Sequence, residues 1–282
     1  MSEIIPEVEW YKALEIAKLS KRIIILGQID TGKSTFAKYL IQNIIKEQSV
    51  CFIDSDIGQS SIGLPTTIAL KVYSKNYINK NPSNGIVIDF DKLFFVGFTT
   101  PSISPELFLS EFAKASSFAQ KLNMKTVVDT TGFVLGEMAK KIKLEKISIL
   151  KPDLVIAFER KGELSHILNE IKIETIILTP SKNIVSRSPI KRAEYRMNKF
   201  KKYLTNVESY AVSRKLIHGT PIVASDGTIV GLFTEEECIA LGVIESLDRE
   251  NVFFSSPPIN IKAIKKIKIG RVSLKGLINE TV

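Results

Sequence analysis

Residues 27–35 read Gly-Gln-Ile-Asp-Thr-Gly-Lys-Ser-Thr and match the phosphate-loop pattern G-x-x-x-x-G-K-[S/T] at every fixed position. In this pattern the glycines let the backbone wrap closely around phosphate groups, and successive N–H groups form an anion nest. Lys33 is predicted to reach the β- and γ-phosphates of a nucleoside triphosphate, and the Ser34 hydroxyl to ligand Mg²⁺. The residues expected to hold ATP or GTP are Gly27, Gln28, Ile29, Asp30, Thr31, Gly32, Lys33, Ser34 and Thr35.

A second candidate group follows the next apolar segment, residues 50–53, and consists of Asp54 and Asp56. Ligands of parallel α/β sheets collect beyond the carboxyl ends of the strands, so these carboxylates are expected near the phosphate loop. Asp54 is predicted to support the metal directly or through water, and Asp56 to orient and deprotonate an incoming nucleophile. A solvated turn is the alternative, because Asp is common where strands stop.

Apolar strands and amphipathic helices alternate along most of the chain and must position these residues. This alternation predicts an α/β fold of the P-loop NTPase type, with a mainly parallel sheet flanked by helices. A first domain is expected at 1–204, and a small, mainly β C-terminal domain at 205–282, where short strands are separated by Gly and Pro. Predicted strands are 23–26, 50–53, 67–72, 86–88, 93–98, 126–128, 154–158 and 175–178; predicted helices are 10–18, from the loop to about 47, and 105–122.

The composition is that of a folded protein, with 44% hydrophobic and 24% charged residues. The net charge of +9 suits a polyanionic partner such as nucleic acid, although lysine-rich surfaces also serve solubility. No apolar run is long enough to span a membrane and no secretion signal is recognisable, so we expect a cytoplasmic protein. Cys51 and Cys238 are expected to be buried thiols rather than a disulfide, and His166 and His218 to be structural or surface residues.

Residues 53–59, Ile-Asp-Ser-Asp-Ile-Gly-Gln, are more specific than a generic acidic strand end. Together with the phosphate loop they resemble the polynucleotide 5′-hydroxyl kinases, which pair a G-x-x-D-x-G-K-[S/T]-T loop with D-x-D-x-G-Q. That family includes the RNA kinase of the eukaryotic cleavage factor, its ribosome-biogenesis relatives and archaeal homologues. The resemblance extends from about residue 10 to about residue 270 and is greatest to the compact archaeal members. It implies a Mg²⁺-dependent transfer of an NTP γ-phosphate to the 5′-hydroxyl of RNA, DNA or both.

The resemblance also implies residues that bind the acceptor strand. Gln59 and the segment 96–102, with Thr99, Thr100 and Pro101, are similar to the family's clasp on the nucleic-acid backbone. Residues 128–133 are similar to the family's N-T-x-G-W segment, whose tryptophan stacks on a terminal base. Thr131 lies in this segment and is expected to contact the acceptor strand, Phe133 stands in place of the tryptophan, and Asp129 in place of the asparagine. Alternatively, the clasp is an ordinary turn and Phe133 is a core residue.

A basic segment at 186–204 resembles the family's mobile lid, which we place at about 184–204 within the first domain. The resemblance implies that Arg187, Arg192 and Arg196 close over the transferring phosphate. Arg192 and Arg196 are four residues apart and share one helix face. Guanidinium groups also suit phosphate oxygens better than ammonium groups do. A solvated helix face is the alternative for this charge run.

Two other functions remain open at this point. A nucleotide-dependent switch or assembly factor, a pseudo-kinase without turnover, would share the phosphate loop and the acidic strand end. An ordinary GTPase is disfavoured because residues 179–183 lack the acid of the [N/T]-K-x-D motif, and the basic charge disfavours a kinase of small metabolites. A further basic run has two open interpretations, part of an RNA-binding surface or a soluble edge strand. It consists of Lys262, Lys265, Lys266, Lys268 and Arg271.

Overall fold

The computed structural model describes residues 4–77, 86–218 and 225–279 of the chain. The helices are α1 (Val8–Leu19), α2 (Lys33–Ile44), α3 (Pro105–Leu122), α4 (Glu137–Leu150), α5 (Ser165–Leu168), α6 (Pro189–Tyr203) and α7 (Gly276–Asn279). The strands are β1 (Arg22–Gly27), β2 (Val50–Ser55), β3 (Thr67–Tyr73), β4 (Lys92–Phe95), β5 (Lys125–Thr130), β6 (Leu154–Phe158), β7 (Glu174–Leu178), β8 (Glu208–Ser213), β9 (Ile217–His218), β10 (Thr228–Phe233), β11 (Cys238–Leu247), β12 (Asn251–Ser256) and β13 (Lys266–Ser273).

The centre of the fold is a parallel sheet with the strand order β7-β6-β1-β5-β2. The carboxyl ends of β1, β5 and β2 therefore meet at one edge of the sheet, where the phosphate loop leaves β1. β3 and β4 continue the sheet in antiparallel orientation beside β2. The predicted P-loop α/β fold with a mainly parallel central sheet is confirmed.

Helices cover both faces of this sheet, because successive side chains of a buried strand point to opposite sides. On one face Ile23 and Ile25 of β1 join a core with Trp10 of α1 and Phe36 of α2. On the other face Ile24 and Leu26 join Phe108 and Phe112 of α3 and Ile142 of α4. Burying these apolar side chains anchors β1 from both sides, so the strand that delivers the phosphate loop is held rigidly.

The C-terminal strands continue the same sheet. β11 pairs antiparallel with β4 through Cys238 and Leu93, and β10, β13 and β9 follow. These strands build a core of their own around Ile244 and Phe254. Phe233 and Leu277 nevertheless pack into the core that contains α1 and α2. The division at residue 204 stays a prediction, and α6 lies between the two parts of the sheet in sequence.

The strand predicted at 86–88 is wrong, because residues 86–90 have no regular secondary structure. The carbonyl oxygens of Ile86 and Val87 accept hydrogen bonds from the ammonium groups of Lys202 and Lys199 on α6 rather than from a neighbouring strand. This segment therefore serves as a support for α6. The strand predicted at 93–98 also ends earlier, at Phe95, and Gly97 has a φ of 84°.

The predictions for cysteine and histidine are confirmed. Cys51 and Cys238 are both buried, unpaired thiols. The His166 ring lies 2.9 Å from the Val134 carbonyl oxygen, and His218 is exposed. Within the described ranges, none of the helices has both the length and the apolar character needed to cross a bilayer.

Candidate active site

The phosphate loop joins β1 to α2 and encloses a cavity of about 390 Å³. Gly27 passes β6 so closely that an added Cβ would lie 2.9 Å from the Cβ of Phe158. Gly32 has a left-handed φ of 94°, which glycine adopts without steric cost. Residues 29–35 line one side of the cavity. The predicted nucleotide-binding residues thus form one continuous loop, with Gly27 and Gln28 at its base.

Lys33 begins α2 and is only 6% exposed. Its Nζ donates a hydrogen bond to the Gln28 carbonyl oxygen at 2.5 Å, so the ammonium group lies inside the loop. Burial lowers the pKa of Lys33, while the nearby carboxylates of Asp129 and Asp56 act in the opposite direction. A cation in this position can neutralise charge on phosphate groups held by the loop.

Asp54 is the last residue but one of β2, and its carboxylate is completely buried. Its Oδ2 accepts hydrogen bonds from Ser60 Oγ at 3.0 Å, Ser61 Oγ at 2.9 Å and the Ile62 amide at 3.2 Å. Its Oδ1 accepts from the amide of Asp56 at 3.1 Å. Asp54 does not line the cavity. In this geometry its carboxylate organises the turn that follows β2.

Asp56 lies in that turn and lines the cavity opposite the phosphate loop. Its Oδ1 accepts hydrogen bonds from the amides of Gly58 at 3.1 Å and Gln59 at 2.9 Å. Burial and the negative charge of Asp54 raise the pKa of Asp56 above its ordinary value. A carboxylate with a raised pKa accepts a proton more readily, which suits the role of general base.

The lid residues Arg187 and Arg192 lie over the phosphate loop and meet at one carboxylate, Asp30. Arg187 Nε lies 3.2 Å from Asp30 Oδ1, and Arg192 Nη1 lies 3.3 Å from Asp30 Oδ2. The backbone amide of Arg187 also donates to Asp30 Oδ2 at 2.9 Å. Burial by itself would raise the pKa of Asp30, but hydrogen bonds and charge from the two arginines hold it below its ordinary value. Both guanidinium groups border the cavity.

Arg196, the third predicted lid arginine, points elsewhere. Its Nε and Nη2 donate to the Leu277 carbonyl oxygen at 3.2 and 2.8 Å, and the side chain is 7% exposed. α6 packs against α7 along this side. The structure thus brings Arg187 and Arg192 to the cavity, and places Arg196 in the contact between the two helices.

The predicted acceptor residues form a layer beside the Asp56 turn. Gln59 lines the cavity and its Nε2 donates to the Arg192 carbonyl oxygen at 3.2 Å, which links the turn to the lid. The Thr99 carbonyl lies against Gly58, where an added Cβ would be 2.9 Å away. Thr100 Oγ1 and Ser102 Oγ are 3.1 Å apart in the short turn that begins at the buried Pro101. The clasp segment 99–101 therefore contacts the Asp56 turn without lining the cavity.

Thr131 and Phe133 follow β5 on the side of the phosphate loop. Thr131 is buried, and Phe133 is half-buried against the core that contains α3 and α4. Phe133 does not line the cavity, so base stacking by its ring stays a prediction. Gly132, between them, lies directly against Ile29 of the phosphate loop.

Replacing Gly132 with Ala is expected to weaken nucleotide binding by about tenfold or more, because a loss of about 1.4 kcal/mol of binding free energy is already a factor of ten. An added Cβ would lie 2.4 Å from the amide nitrogen of Ile29 and 2.7 Å from its Cα, so the phosphate loop must shift. Titration with a fluorescent ADP checks the prediction. Adding Ile29→Ala should not restore binding, since the backbone atoms still collide; wild-type affinity in Gly132→Ala would contradict the expectation.

Asp129 is a site residue to which the sequence assigned no chemical role. It is completely buried at the end of β5, and its Oδ2 accepts a hydrogen bond from Ser34 Oγ at 2.5 Å. Burial and the charge of Asp54 raise the pKa of Asp129 to about 7, while Lys33 and the Ser34 hydroxyl act in the opposite direction. The signal available in the sequence was its place at the end of a predicted apolar strand.

Two lysines of α4 were also missed. Lys143 Nζ donates to the Thr131 carbonyl oxygen at 2.6 Å, and Lys146 Nζ donates to Ser55 Oγ at 2.5 Å. Both side chains are almost completely buried, and burial lowers the pKa of Lys146 to about 7. Their hydrogen bonds join α4 to the carboxyl ends of β2 and β5. In the sequence they resemble the solvated lysines of any amphipathic helix.

Comparison with known proteins identifies relatives of this chain. A polyribonucleotide 5′-hydroxyl-kinase of Pyrococcus furiosus is 30% identical over 227 residues, which cover 77% of this chain and 61% of that protein. One of Methanocaldococcus jannaschii is 29% identical, covering 95% of this chain and 91% of that protein. A CLP1 homolog of Dictyostelium discoideum is 30% identical over 68% of this chain and 44% of its own length. The chain thus spans about three fifths of the Pyrococcus relative it matches.

A solved structure of wild-type Clp1p in complex with Pcf11p has the same fold, with a TM-score of 0.74 at 11% sequence identity. The superposition covers 94% of this chain and 79% of Clp1p. The family model described as mRNA cleavage and polyadenylation factor CLP1 P-loop matches residues 27–206. That span is well over half of the chain and holds the phosphate loop, the acidic turn and the lid. This chain therefore belongs to the CLP1 P-loop family.

Proposed function

We propose that this protein is a polynucleotide 5′-hydroxyl kinase, which transfers the γ-phosphate of ATP or GTP to the 5′-hydroxyl of RNA, DNA or both in the cytoplasm. The observation that carries the proposal is a single cavity that is lined by the phosphate loop, by Asp56 and by the two lid arginines Arg187 and Arg192. Such a cavity can bring a triphosphate and an acceptor hydroxyl together. The names of the archaeal relatives support the same reaction.

In this proposal the chain acts on the transferred phosphate chiefly by position and charge. The backbone of residues 27–35 and Lys33 hold the triphosphate. Arg187 and Arg192 exchange the Asp30 carboxylate, which they contact in this structure, for oxygens of the transferring phosphate. Guanidinium groups suit this exchange because they bind carboxylate and phosphate with the same fork of donors.

The acceptor strand enters beside the Asp56 turn. Asp56 takes the proton of the 5′-hydroxyl as the hydroxyl oxygen attacks the γ-phosphorus. The bond between the γ-phosphorus and the oxygen that bridges it to the β-phosphate breaks at the same time. Gln59 and the clasp, Thr99 to Pro101, would hold the backbone next to the reacting hydroxyl, with Thr131 and Phe133 toward the terminal base. The contact of Gly58 with the Thr99 carbonyl supports this placement, because it joins the clasp to the turn that holds Asp56, the general base.

The donors near the loop also fit Mg²⁺, which such kinases use with the nucleotide. Ser34 Oγ lies 2.5 Å from a carboxylate oxygen, and hydroxyl and carboxylate oxygens are the ligands that Mg²⁺ prefers. When bound, the ion would neutralise charge on the β- and γ-phosphates. Ser34 would hold it in this proposal.

The test is transfer of labelled γ-phosphate from ATP and from GTP to matched oligonucleotides of RNA and DNA. Each sequence is supplied with a 5′-hydroxyl and, as a control, with a 5′-phosphate. We expect label only on the 5′-hydroxyl strands. A Lys33→Ala protein purified in parallel guards against a contaminating kinase. Nucleotide binding without any labelled strand would refute the kinase and favour a nucleotide-dependent switch or assembly factor.

A further inference from the structure

Two buried carboxylates stand side by side at the edge of the sheet. Asp54 of β2 and Asp129 of β5 are register partners in the parallel pairing of these strands. Both side chains have an exposed fraction of 0%. A buried carboxylate is costly unless hydrogen bonds or a cation compensate it. What compensates each of them is therefore informative about its role.

Asp54 is compensated within the protein. Its two oxygens together accept hydrogen bonds from the turn that runs from Asp56 to Ile62, and from the hydroxyls of Ser60 and Ser61. Every one of these donors belongs to the chain segment directly after β2. The carboxylate is therefore used to fold this turn and has little capacity left for another ligand.

Asp129 accepts fewer hydrogen bonds than Asp54. In the described part of the chain, its Oδ2 accepts from Ser34 Oγ at 2.5 Å and its Oδ1 from the adjacent amide of Thr130 at 2.9 Å. The charges of Lys33 and Lys146 attract it, but neither ammonium group comes within ion-pair distance of it in the described part of the chain. One of its oxygens is therefore held by the Ser34 hydroxyl of the phosphate loop.

The order of the strands explains this difference. β5 pairs directly with β1, and Asp129 is the register partner of Ile25. β2 is separated from β1 by β5. A carboxylate at the end of β5 therefore borders the first turn of α2, where Ser34 lies, whereas Asp54 is one strand farther away. In nucleotide-binding proteins with this loop, a serine or threonine of the loop and a strand-end aspartate share the metal.

We infer that Asp129, rather than Asp54, is the carboxylate that faces the Mg²⁺ of the bound nucleotide beside Ser34. The inference rests on the proposed function in using a metal–nucleotide complex, but it does not depend on the acceptor strand. It also assigns a role to Asp129, which stands where the N-T-x-G-W segment of the family has asparagine. The negative charge would supply a stronger metal ligand, direct or through a water molecule, than an amide oxygen can.

The test is the Mg²⁺ dependence of ADP affinity, measured by calorimetry or with a fluorescent ADP in the absence of any oligonucleotide. Asp129→Asn keeps the size of the side chain and can still pair with the Ser34 hydroxyl and the Thr130 amide. We expect this variant to need about 10- to 100-fold more Mg²⁺ for half of the maximal gain in affinity. Its affinity for ADP without metal should be unchanged or higher, because a negative charge beside the phosphates is gone.

Asp54→Asn is the matched control, since it removes the neighbouring buried charge. It is expected to unfold at a lower temperature and to keep a Mg²⁺ requirement within about threefold of wild type, a difference well under 1 kcal/mol. If Asp129→Asn does not fold, Asp129→Ser provides a smaller neutral side chain with a hydroxyl. Unfolding temperatures measured without nucleotide separate a folding defect from a metal defect.

An unchanged Mg²⁺ requirement in the folded Asp129 variant would overturn the inference, and so would an equal or larger shift in Asp54→Asn. The kinase proposal is tested separately. If wild-type protein labels no strand but Asp129→Asn shifts the Mg²⁺ requirement, the kinase is refuted and the metal assignment stands. If wild-type protein labels the strands but Asp129→Asn leaves the Mg²⁺ requirement unchanged, the kinase proposal stands and the metal assignment is refuted.

Discussion

Replacing Arg187 or Arg192 with Ala is expected to lower the rate of phosphate transfer by about 10³-fold or more, the usual contribution of an arginine on the transferring phosphate. Both guanidinium groups border the cavity and share the Asp30 carboxylate. A phosphate offers them the same kind of oxygen acceptor with more negative charge. Single-turnover labelling of a 5′-hydroxyl oligonucleotide measures the effect. Lysine at either position should recover only part of the rate, because it lacks the planar fork.

Folding should be little affected by these substitutions. The Arg187 side chain is 45% exposed and that of Arg192 is 20% exposed, and either single substitution leaves the other arginine paired with the Asp30 carboxylate. Lys191→Ala, at an exposed position of α6 beside Arg192, is the control for a general loss of positive charge. Unchanged turnover in both arginine variants would remove the lid from the mechanism. A comparable rate loss in an Arg196→Lys protein that keeps its stability would show that α6 turns another face to the phosphate.

Replacing Asp56 with Asn is expected to lower the transfer rate by about 10²- to 10⁴-fold, the range of general-base catalysis. The amide oxygen of asparagine can still accept from the amides of Gly58 and Gln59, so the turn should keep its shape. What is lost is the group that takes the proton from the 5′-hydroxyl. The affinity for ATP should change by less than about threefold, because removing one charge that does not touch the triphosphate costs well under 1 kcal/mol.

The pH dependence of the rate provides an independent check on Asp56. Its folded pKa is raised by burial and by Asp54, so the base is protonated and inactive at acidic pH and becomes active as the pH rises through that value. Wild-type protein should therefore gain rate with increasing pH, and Asp56→Asn should be slow at every pH. Asp89→Asn, a partly exposed acid beside Lys71, is the control for nonspecific charge effects. A wild-type rate in Asp56→Asn would assign the base elsewhere.

The candidate site shows how far sequence patterns extend. The phosphate loop could be predicted residue by residue, because its glycines, lysine and serine are required by local backbone geometry and by the phosphate itself. A resemblance in the basic segment predicted that Arg187 and Arg192 belong to a lid over the transferring phosphate; the structure places both at the cavity, and their role on the phosphate stays a prediction. The same reasoning placed Arg196 with them, since residues four apart share a helix face. In the structure Arg192 contacts Asp30, whereas Arg196 lies between α6 and α7 and donates to the Leu277 carbonyl oxygen.

The acidic strand end was ambiguous for a different reason. Asp54 and Asp56 are separated by one residue, but which of them reaches the cavity depends on how the turn after β2 closes, with Ser60 and Ser61 on the Asp54 carboxylate. Local spacing cannot specify that closure. The segment at 86–88 was misassigned in the same way, because its apolar residues support α6 through carbonyl groups instead of joining the sheet.

By itself the sequence determined a nucleotide-binding α/β protein of this family, because alternating strands and helices and a nine-residue loop are encoded locally. The tertiary structure alone decided which carboxylate lies beside Ser34. Asp129 is separated from Ser34 by 95 positions along the chain and comes into contact with it only because β5 pairs with β1. Strand order is set by the packing of the whole sheet between its helices, and no local pattern carries that information.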